Sequence, residues 1–261
     1  MGRRTWAVLA AFVWALSFGW PARAGEAPVI AAASDLQFAL SEIAQQFERQ
    51  TGHRLRQSYG SSGNFYHQIL QGGPFQLFLS ADEDYVLRLA AQGRTEDTGT
   101  LYAVGRIVLF VPKGSPLEPD GRLEDLARAL DEGRLRRFAI ANPEHAPYGR
   151  AAEAALRRRG LWEKIAPRLV LGENVSQAAQ FAASGSAQGS IIAYSLALSP
   201  KLKELGRFAL IPEDWHPPLR QRMVLMRGAG EVARLFYRYL QSSDAREVFR
   251  RYGFVLPAEG G

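Results

Sequence analysis

The stretch from Gly60 to Asn64 combines small residues and hydroxyl groups in an order suited to binding an anion. It reads Gly-Ser-Ser-Gly-Asn and joins a β-like run at 53–59 to a helix-like run at 65–70, which the Gly-Gly-Pro segment 72–74 ends. The first N–H groups of a helix have no internal partner, and the helix dipole favours negative charge there. The stretch therefore predicts a cradle for a small oxyanion, although Ser-Ser-Gly is also common in ordinary turns and helix caps.

Further polar turns occupy equivalent places along the chain, each between a β-like run and a helix-like run. They are Ser34-Asp35 after 28–33, Ser80–Glu83 after 75–79, Asn142–Gly149 after 137–141, and Glu173–Ser176 after 169–171. The repeated unit of strand, polar turn and helix predicts an α/β fold with parallel-rich sheets flanked by helices. In such folds ligands bind beyond the carboxyl ends of the strands.

Two β-like runs suggest how the chain divides. The long run at 102–111 suits a strand that crosses between two lobes, and the run at 222–226 suits a strand that returns to the first lobe. We therefore predict that residues 25–104 and 219–261 form the first lobe and that residues 105–218 form the second. The predicted ligand cleft lies between the lobes.

The first 24 residues have the pattern of a secretory signal peptide. Arg3 and Arg4 precede an apolar run at 6–20, and Ala22-Arg23-Ala24 supplies the small residues of a cleavage site. The apolar run is short for a membrane-spanning helix. The chain contains no cysteine, which excludes a lipid anchor on cysteine and any disulfide. The sequence thus predicts a soluble protein exported to the periplasm.

The charge of the chain gives no sign of a nucleic-acid partner. The formal net charge of +6 falls to +3 once Arg3, Arg4 and Arg23 are removed with the predicted signal peptide. The remaining basic residues cluster in pairs and triplets typical of solvated helix faces, such as 157–159. No basic tract is interleaved with aromatic residues in the manner of nucleic-acid-binding proteins.

The sequence also lacks the usual marks of an enzyme. The four histidines are scattered at His53, His67, His145 and His216 without metal-ligand spacing, and the Ser61-Ser62 pair lacks the Gly-x-Ser-x-Gly elbow of a hydrolase. We therefore expect neither catalysis nor a cofactor. A hydrolase acting on an oxyanion ester remains the alternative from a different functional class.

Several of these segments together resemble the family of periplasmic molybdate-binding proteins of bacterial molybdate ABC transporters. The resemblance follows the same order over essentially the whole chain after residue 24, and its most specific motif is Asn-Pro-Glu-His-Ala-Pro-Tyr-Gly. The segments are 31–34, 60–63, 79–82, 142–149 and 251–254. The family implies a two-lobed periplasmic-binding-protein fold of type II, in which one oxyanion is held in the cleft without a bare metal cation.

The resemblance also implies a ligand set. Carried over by position, molybdate ligands are Ser34 and Ser62 from the first lobe and Tyr148, Val175 and Tyr194 from the second, with Ser61 as an additional neighbour. Tyr148 is expected to contribute its backbone N–H, its hydroxyl or both. The chain departs from many members at Asp35, where a carboxylate would repel a dianion unless it is turned away or caps a helix.

The family further implies a mechanism and partners. The expected protein is a monomer that captures molybdate, closes by hinge bending at the crossing strands and docks on a membrane permease. Molybdate and tungstate have nearly the same size and charge, so the residues do not separate them. Sulfate and phosphate remain alternative ligands, whereas the absence of an adjacent tyrosine pair argues against ferric iron.

Overall fold

The computed structural model describes residues 26–257, so the predicted signal peptide lies outside the described residues. The strands are β1 (Val29–Ala33), β2 (Arg56–Gly60), β3 (Phe75–Ser80), β4 (Thr100–Gly105), β5 (Ile107–Pro112), β6 (Phe138–Ala141), β7 (Leu169–Gly172), β8 (Ser190–Ala193), β9 (Gly206–Leu210) and β10 (Leu219–Leu225). The helices are α1 (Gln37–Thr51), α2 (Ser62–Leu70), α3 (Glu83–Ala91), α4 (Glu124–Asp131), α5 (Pro147–Arg158), α6 (Trp162–Ile165), α7 (Val175–Ala183), α8 (Tyr194–Ala197), α9 (Pro200–Leu205), α10 (Glu231–Tyr239) and α11 (Ser243–Arg251). Short 3-10 helices occur at Ser34–Leu36, Ala166–Arg168 and Glu213–Trp215.

Two five-stranded sheets organise these elements. The first has the strand order β2-β1-β3-β10-β4, and the second has the order β7-β6-β8-β5-β9. In each sheet three neighbouring strands are parallel and a fourth, β10 or β5, runs antiparallel to the strands on both of its sides. The predicted two-lobed α/β fold with parallel-rich sheets is confirmed. We call the first sheet with its helices the first lobe, and the second sheet with its helices the second lobe.

The chain passes between the lobes at two places. β4 ends at Gly105 in the first sheet, and β5 starts at Ile107 in the second. The β-like run at 102–111 is therefore two strands interrupted at Arg106, rather than the one long strand that its apolar pattern predicted. The chain returns before Leu219, where β10 begins. The exact lobe boundaries drawn from the sequence stay a prediction.

Near-continuous apolar sequence explains the central strands. Residues 107–112 are buried throughout, as are residues 138–141. Strands covered by helices on both faces need apolar side chains at successive positions instead of alternating ones. In the first lobe Phe47 packs edge-on against Phe236, which joins α1 to α10 over the sheet. Two well-packed lobes thus provide stiff supports for the turns between them.

Local signals fix where the important helices begin and end. Gly52 closes α1 in a left-handed conformation with φ of 74°, which suits glycine because it has no Cβ. Ser61 accepts a hydrogen bond from the N–H of Asn64 and so caps α2, and Asn174 caps α7 in the same way. Among residues 26–257 no helix has both the length and the apolar character needed to cross a bilayer.

Candidate functional site

A small cavity lies where the two lobes meet. The first lobe lines it with Ala33, Ser34, Asp35, Gly60, Ser61, Ser62 and Ala81, and the second lobe with Ala146, Pro147, Tyr148 and Val175. The cavity is tight, with a volume of about 10 Å³. No Lys, Arg or His is among the described residues of its wall, so the cavity offers neutral donors instead of a positive charge. Five of the six residues predicted as ligands therefore line one cavity.

The start of α2 brings two serines to this cavity. Ser62 is the first residue of the helix, where the backbone N–H has no intrahelical acceptor. Its Oγ accepts a hydrogen bond of 2.9 Å from the N–H of Ala81, so the hydroxyl proton stays available to an acceptor in the cavity. Ser61 is the N-cap of α2, and its Oγ lies 2.9 Å from Nδ1 of His145 in the second lobe.

Ser34 reaches the cavity from the end of β1 and is clamped by the second lobe. The N–H of Ser176 on α7 donates to Oγ of Ser34 at 3.3 Å, and Oγ of Ser176 donates to the Ser34 carbonyl oxygen at 2.8 Å. Ser176 was not among the residues predicted for the site. The feature that could have identified Ser176 from the sequence is its position in the predicted helix start at 173–176.

The second lobe presents two more helix starts. Val175 is the first residue of α7, and Tyr148 is the second residue of α5, after Pro147. Backbone N–H groups at these positions have no intrahelical partner, and the helix dipoles make them favourable neighbours for an anion. Helix starts from both lobes therefore surround the same space. The polar turn predicted at 142–149 is shorter in the structure, because proline at a first helical position lets α5 begin at Pro147.

The hydroxyl of Tyr148 is engaged by a buried carboxylate. It donates to Oδ2 of Asp35 at 2.9 Å, and Nε2 of Gln221 donates to the same oxygen at 2.7 Å. The hydroxyl of Tyr102 in turn donates to Oε1 of Gln221 at 2.7 Å, which fixes the orientation of the amide. This cluster joins β4, β10 and α5 around a residue of the cavity wall. The sequence carried no signal for Tyr102 or Gln221.

Asp35 does not cap a helix, one of the two arrangements expected for it, and its carboxyl instead accepts hydrogen bonds from the Tyr148 hydroxyl and the Gln221 amide. Its exposed fraction is 1%, and Oδ1 is buried without a hydrogen-bond partner in the described structure. Burial raises the pKa of the carboxyl from 3.8 to about 6, against the opposing effect of the hydrogen bonds from Gln221 and Tyr148. Burial also raises the pKa of the Tyr148 hydroxyl well above its usual value, and the nearby Asp35 charge adds to this rise.

Tyr194 is the one predicted ligand that the structure does not bring to the wall of this cavity. It begins the short helix α8, and its ring packs edge-on against Phe208. Its backbone N–H donates to the carbonyl oxygen of Arg106 at 2.9 Å. The same ring lies close to Gly253, where a Cβ would come within 2.5 Å of it. Its role as a ligand stays a prediction from the resemblance.

Contacts between the lobes close the space around the cavity. The N–H of Gly63 donates to the carbonyl oxygen of His145 at 3.0 Å, and Oγ of Ser195 donates to the carbonyl oxygen of Asp35 at 2.8 Å. Arg150 pairs with Asp82 at 2.5 Å. The two lobes are therefore joined on several sides of the cavity. Among the described residues no cluster of three or more His, Cys, Asp or Glu side chains forms a metal site.

The chain is similar in sequence to a known family and to proteins of known name. A family profile described as "Bacterial extracellular solute-binding protein" matches residues 28–255. The "Molybdate-binding protein ModA" of Rhodobacter capsulatus is 35% identical over 238 residues, which cover 90% of each chain. The protein of the same name from Azotobacter vinelandii is 34% identical over 253 residues, covering 95% of this chain and 98% of that one.

A solved structure agrees with these sequence matches. The Azotobacter vinelandii periplasmic molybdate-binding protein superposes with a TM-score of 0.79 and 30% sequence identity. The superposition covers 88% of this chain and 100% of that one. The printed names of the family and of these relatives describe binding proteins, which agrees with the expectation that the chain is a binding protein and not an enzyme.

Proposed function

Because the chain belongs to the family of bacterial extracellular solute-binding proteins, we propose that it binds molybdate between its two lobes and delivers it to the membrane permease of an ABC transporter. One observation carries this proposal. Helix starts from both lobes meet around one small cavity, and none of the described residues that line it is Lys, Arg or His. The names of the relatives supply the identity of the oxyanion. The protein is a binding protein rather than an enzyme.

The proposed ligand groups follow from the chemistry of the guest. Molybdate near neutral pH is a dianion whose oxygens only accept hydrogen bonds, so it needs donors on every side. We assign these donors to the hydroxyls of Ser34 and Ser62, with Ser61 beside them, and to the backbone N–H groups of Tyr148 and Val175. Neutral donors avoid a surplus positive charge that would hold any anion.

The position of the Tyr148 hydroxyl favours one of the two modes expected for that residue. Its proton is already donated to Asp35 at 2.9 Å. The backbone N–H of Tyr148 lies at the second position of α5, where it has no acceptor within the helix. We therefore propose that Tyr148 binds the ligand through its backbone. Tyr194, carried over by position from the family, completes the proposed set.

The proposed transport cycle uses the two passages between the lobes as hinges. The segments around Arg106 and before Leu219 are short, so small changes in their backbone angles rotate one lobe against the other. The hydrogen bonds across the cleft support the assignment of this arrangement to the closed state. We propose that this closed monomer is the form that the permease recognises in the periplasm.

Calorimetry tests the proposed function directly. The purified protein is titrated with molybdate, tungstate, sulfate and phosphate under identical conditions. We expect one binding site that takes molybdate and tungstate with similar affinity and holds sulfate and phosphate more weakly, because a wrong fit leaves buried donors unpaired. Tight binding of sulfate or phosphate without molybdate binding would assign the cavity to another tetrahedral oxyanion. No binding of any of the four anions would overturn the proposal.

A further inference from the structure

The cavity wall contains one carboxyl group whose two oxygens have different surroundings. Oδ2 of Asp35 accepts two hydrogen bonds, from the Tyr148 hydroxyl at 2.9 Å and from Nε2 of Gln221 at 2.7 Å. Oδ1 is buried and has no partner in the described structure. The Gln221 amide cannot turn round without losing the hydrogen bond that its Oε1 accepts from Tyr102. The donors on Oδ2 are thus fixed, and only Oδ1 is open to a new partner.

An ionised Asp35 would repel a dianion bound in this cavity. The residue lines the same wall as Ser34 and Ser62, and no Lys, Arg or His of the described wall offsets its charge. Like charges held close together in a poorly solvated site raise the pKa of the titratable one. Burial has already brought the pKa of this carboxyl to about 6, within reach of a further rise at neutral pH.

We propose, building on the oxyanion site proposed above, that Asp35 takes up one proton from solvent on Oδ1 when the dianion binds and donates it as a hydrogen bond to a ligand oxygen. The protonated carboxyl is then a neutral donor like the serine hydroxyls. One proton enters with each dianion and leaves when the dianion is released. Asp35 is thereby a specificity-determining residue, because it makes affinity depend on pH and favours a guest that offers only acceptor atoms.

The groups around Asp35 leave the carboxyl as the one that titrates. The hydroxyls of Tyr102 and Tyr148 face it, and burial raises both of their pKa values well above the usual value of a tyrosine, so both stay neutral. The charged side chains on the elements that pack against Asp35 form ion pairs with other residues. These ion pairs are Arg220 and Arg222 of β10 with Glu83, Arg150 of α5 with Asp82, Arg56 of β2 with Glu26, and Glu42 of α1 with Arg251. Tyr59 on β2 bonds to Ser41 and Gln57, Tyr194 on α8 packs on Phe208, and α7 carries no charged side chain.

Calorimetry in buffers of different ionisation enthalpy counts the protons taken up. For the unaltered protein at pH 7 to 7.5 we expect close to one proton per molybdate bound. Above pH 6 the affinity should fall about tenfold for each pH unit, since a free protein that has lost the proton must regain it on binding. Asp35→Asn should bind with no proton uptake and with nearly constant affinity from pH 6 to 8. The exposed Asp84→Asn on α3 is the matched control and should behave like the unaltered protein.

The outcomes separate this inference from the proposed function. Binding of molybdate with no proton uptake, or uptake that persists in Asp35→Asn, overturns the role of Asp35 and leaves the molybdate site standing. A preference for monohydrogen phosphate without proton uptake shows an ionised Asp35 that accepts the proton of its guest, and also overturns the inference. Failure to bind any of the four oxyanions overturns the proposed function and this inference together. Circular dichroism confirms that both variants are folded.

Discussion

Gly63 at the start of α2 lies directly against the backbone of His145 in the other lobe. Its N–H donates to the His145 carbonyl oxygen at 3.0 Å. A Cβ added at Gly63 would lie 2.6 Å from that carbonyl oxygen and 2.8 Å from the hydroxyl oxygen of Tyr85. Real Cβ atoms do not approach backbone oxygens so closely, so this contact between the lobes requires glycine.

Gly63→Ala should therefore oppose closure more than it disturbs the first lobe, because its Cβ meets the His145 backbone of the second lobe but the movable end of the Tyr85 side chain in its own lobe. Alanine is a better helix former than glycine, and position 63 has ordinary helical geometry. We expect a normally folded protein whose molybdate affinity falls at least about tenfold, equivalent to about 1.4 kcal/mol. Calorimetry measures the affinity, and small-angle X-ray scattering measures whether the protein contracts when molybdate is added.

Gln68→Ala provides the control for that substitution. It also introduces alanine into α2, but at an exposed position on the outer side of the helix. Its affinity and scattering should match those of the unaltered protein. If Gly63→Ala contracted and bound molybdate normally, the contact between Gly63 and His145 would have no part in closure.

Ser62→Ala should affect both binding and stability. The substitution removes a hydroxyl donor from the cavity, which should weaken molybdate binding by about 1–3 kcal/mol. It also leaves the buried N–H of Ala81 without the acceptor that Oγ of Ser62 provides at 2.9 Å. The free energy of unfolding should therefore fall by about 1–3 kcal/mol. Calorimetry and denaturant unfolding measure the two effects.

Ser186→Ala is the matched control for Ser62→Ala, because Ser186 is exposed on a loop far along the chain. It should change neither quantity. Unaltered molybdate affinity in Ser62→Ala would remove Ser62 from the binding site, whatever the change in stability.

Asp35→Asn should change the pH dependence of stability. The pKa of Asp35 is raised in the folded state from 3.8 to about 6, so between these values the folded protein binds more protons than the unfolded chain. Stability due to this group is thus greatest below pH 3.8 and is lost as the pH rises through 6. The loss amounts to about 3 kcal/mol, at 1.36 kcal/mol per pKa unit.

The variant should lack that loss, because asparagine does not ionise. Its carbonyl oxygen can accept the hydrogen bonds that Tyr148 and Gln221 give to Oδ2. At pH 7.5 without ligand we expect Asp35→Asn to unfold at higher denaturant than the unaltered protein, and the difference should shrink towards pH 4. An equal difference at both pH values would show that Asp35 does not titrate in this range.

The order of strands and helices could be predicted because local patterns carry it. β1, β3 and β6 were found within one residue of their predicted bounds, since apolar runs ended by polar turns define buried strands. The short helices α6 and α9 were missed, because segments of four and six residues have too little periodicity to be recognised. The break at Arg106 was also missed, because the strands on either side are equally apolar.

The site could be predicted only in part, for a different reason. Ser34, Ser62 and Val175 stand at strand-to-helix turns, which the sequence shows directly. Gln221 lies within a strand and contacts Asp35, which is 186 residues away in the sequence. Such a contact depends on how β1 and β10, which are distant in sequence, come together in the first sheet, and no local pattern records it. The sequence shows Asp35 as a departure from the family, but only the structure shows that its carboxyl contacts Tyr148 and Gln221.

The most direct test of the central claim is the position of molybdenum in crystals of the protein grown with molybdate. Anomalous diffraction at the molybdenum absorption edge locates the metal atom without reference to the protein atoms. We expect one strong peak in the cavity between the lobes, with the molybdate oxygens within hydrogen-bond distance of Ser34 Oγ, Ser62 Oγ and the N–H of Val175. A peak elsewhere, or no peak from a protein crystallised in saturating molybdate, would contradict the account.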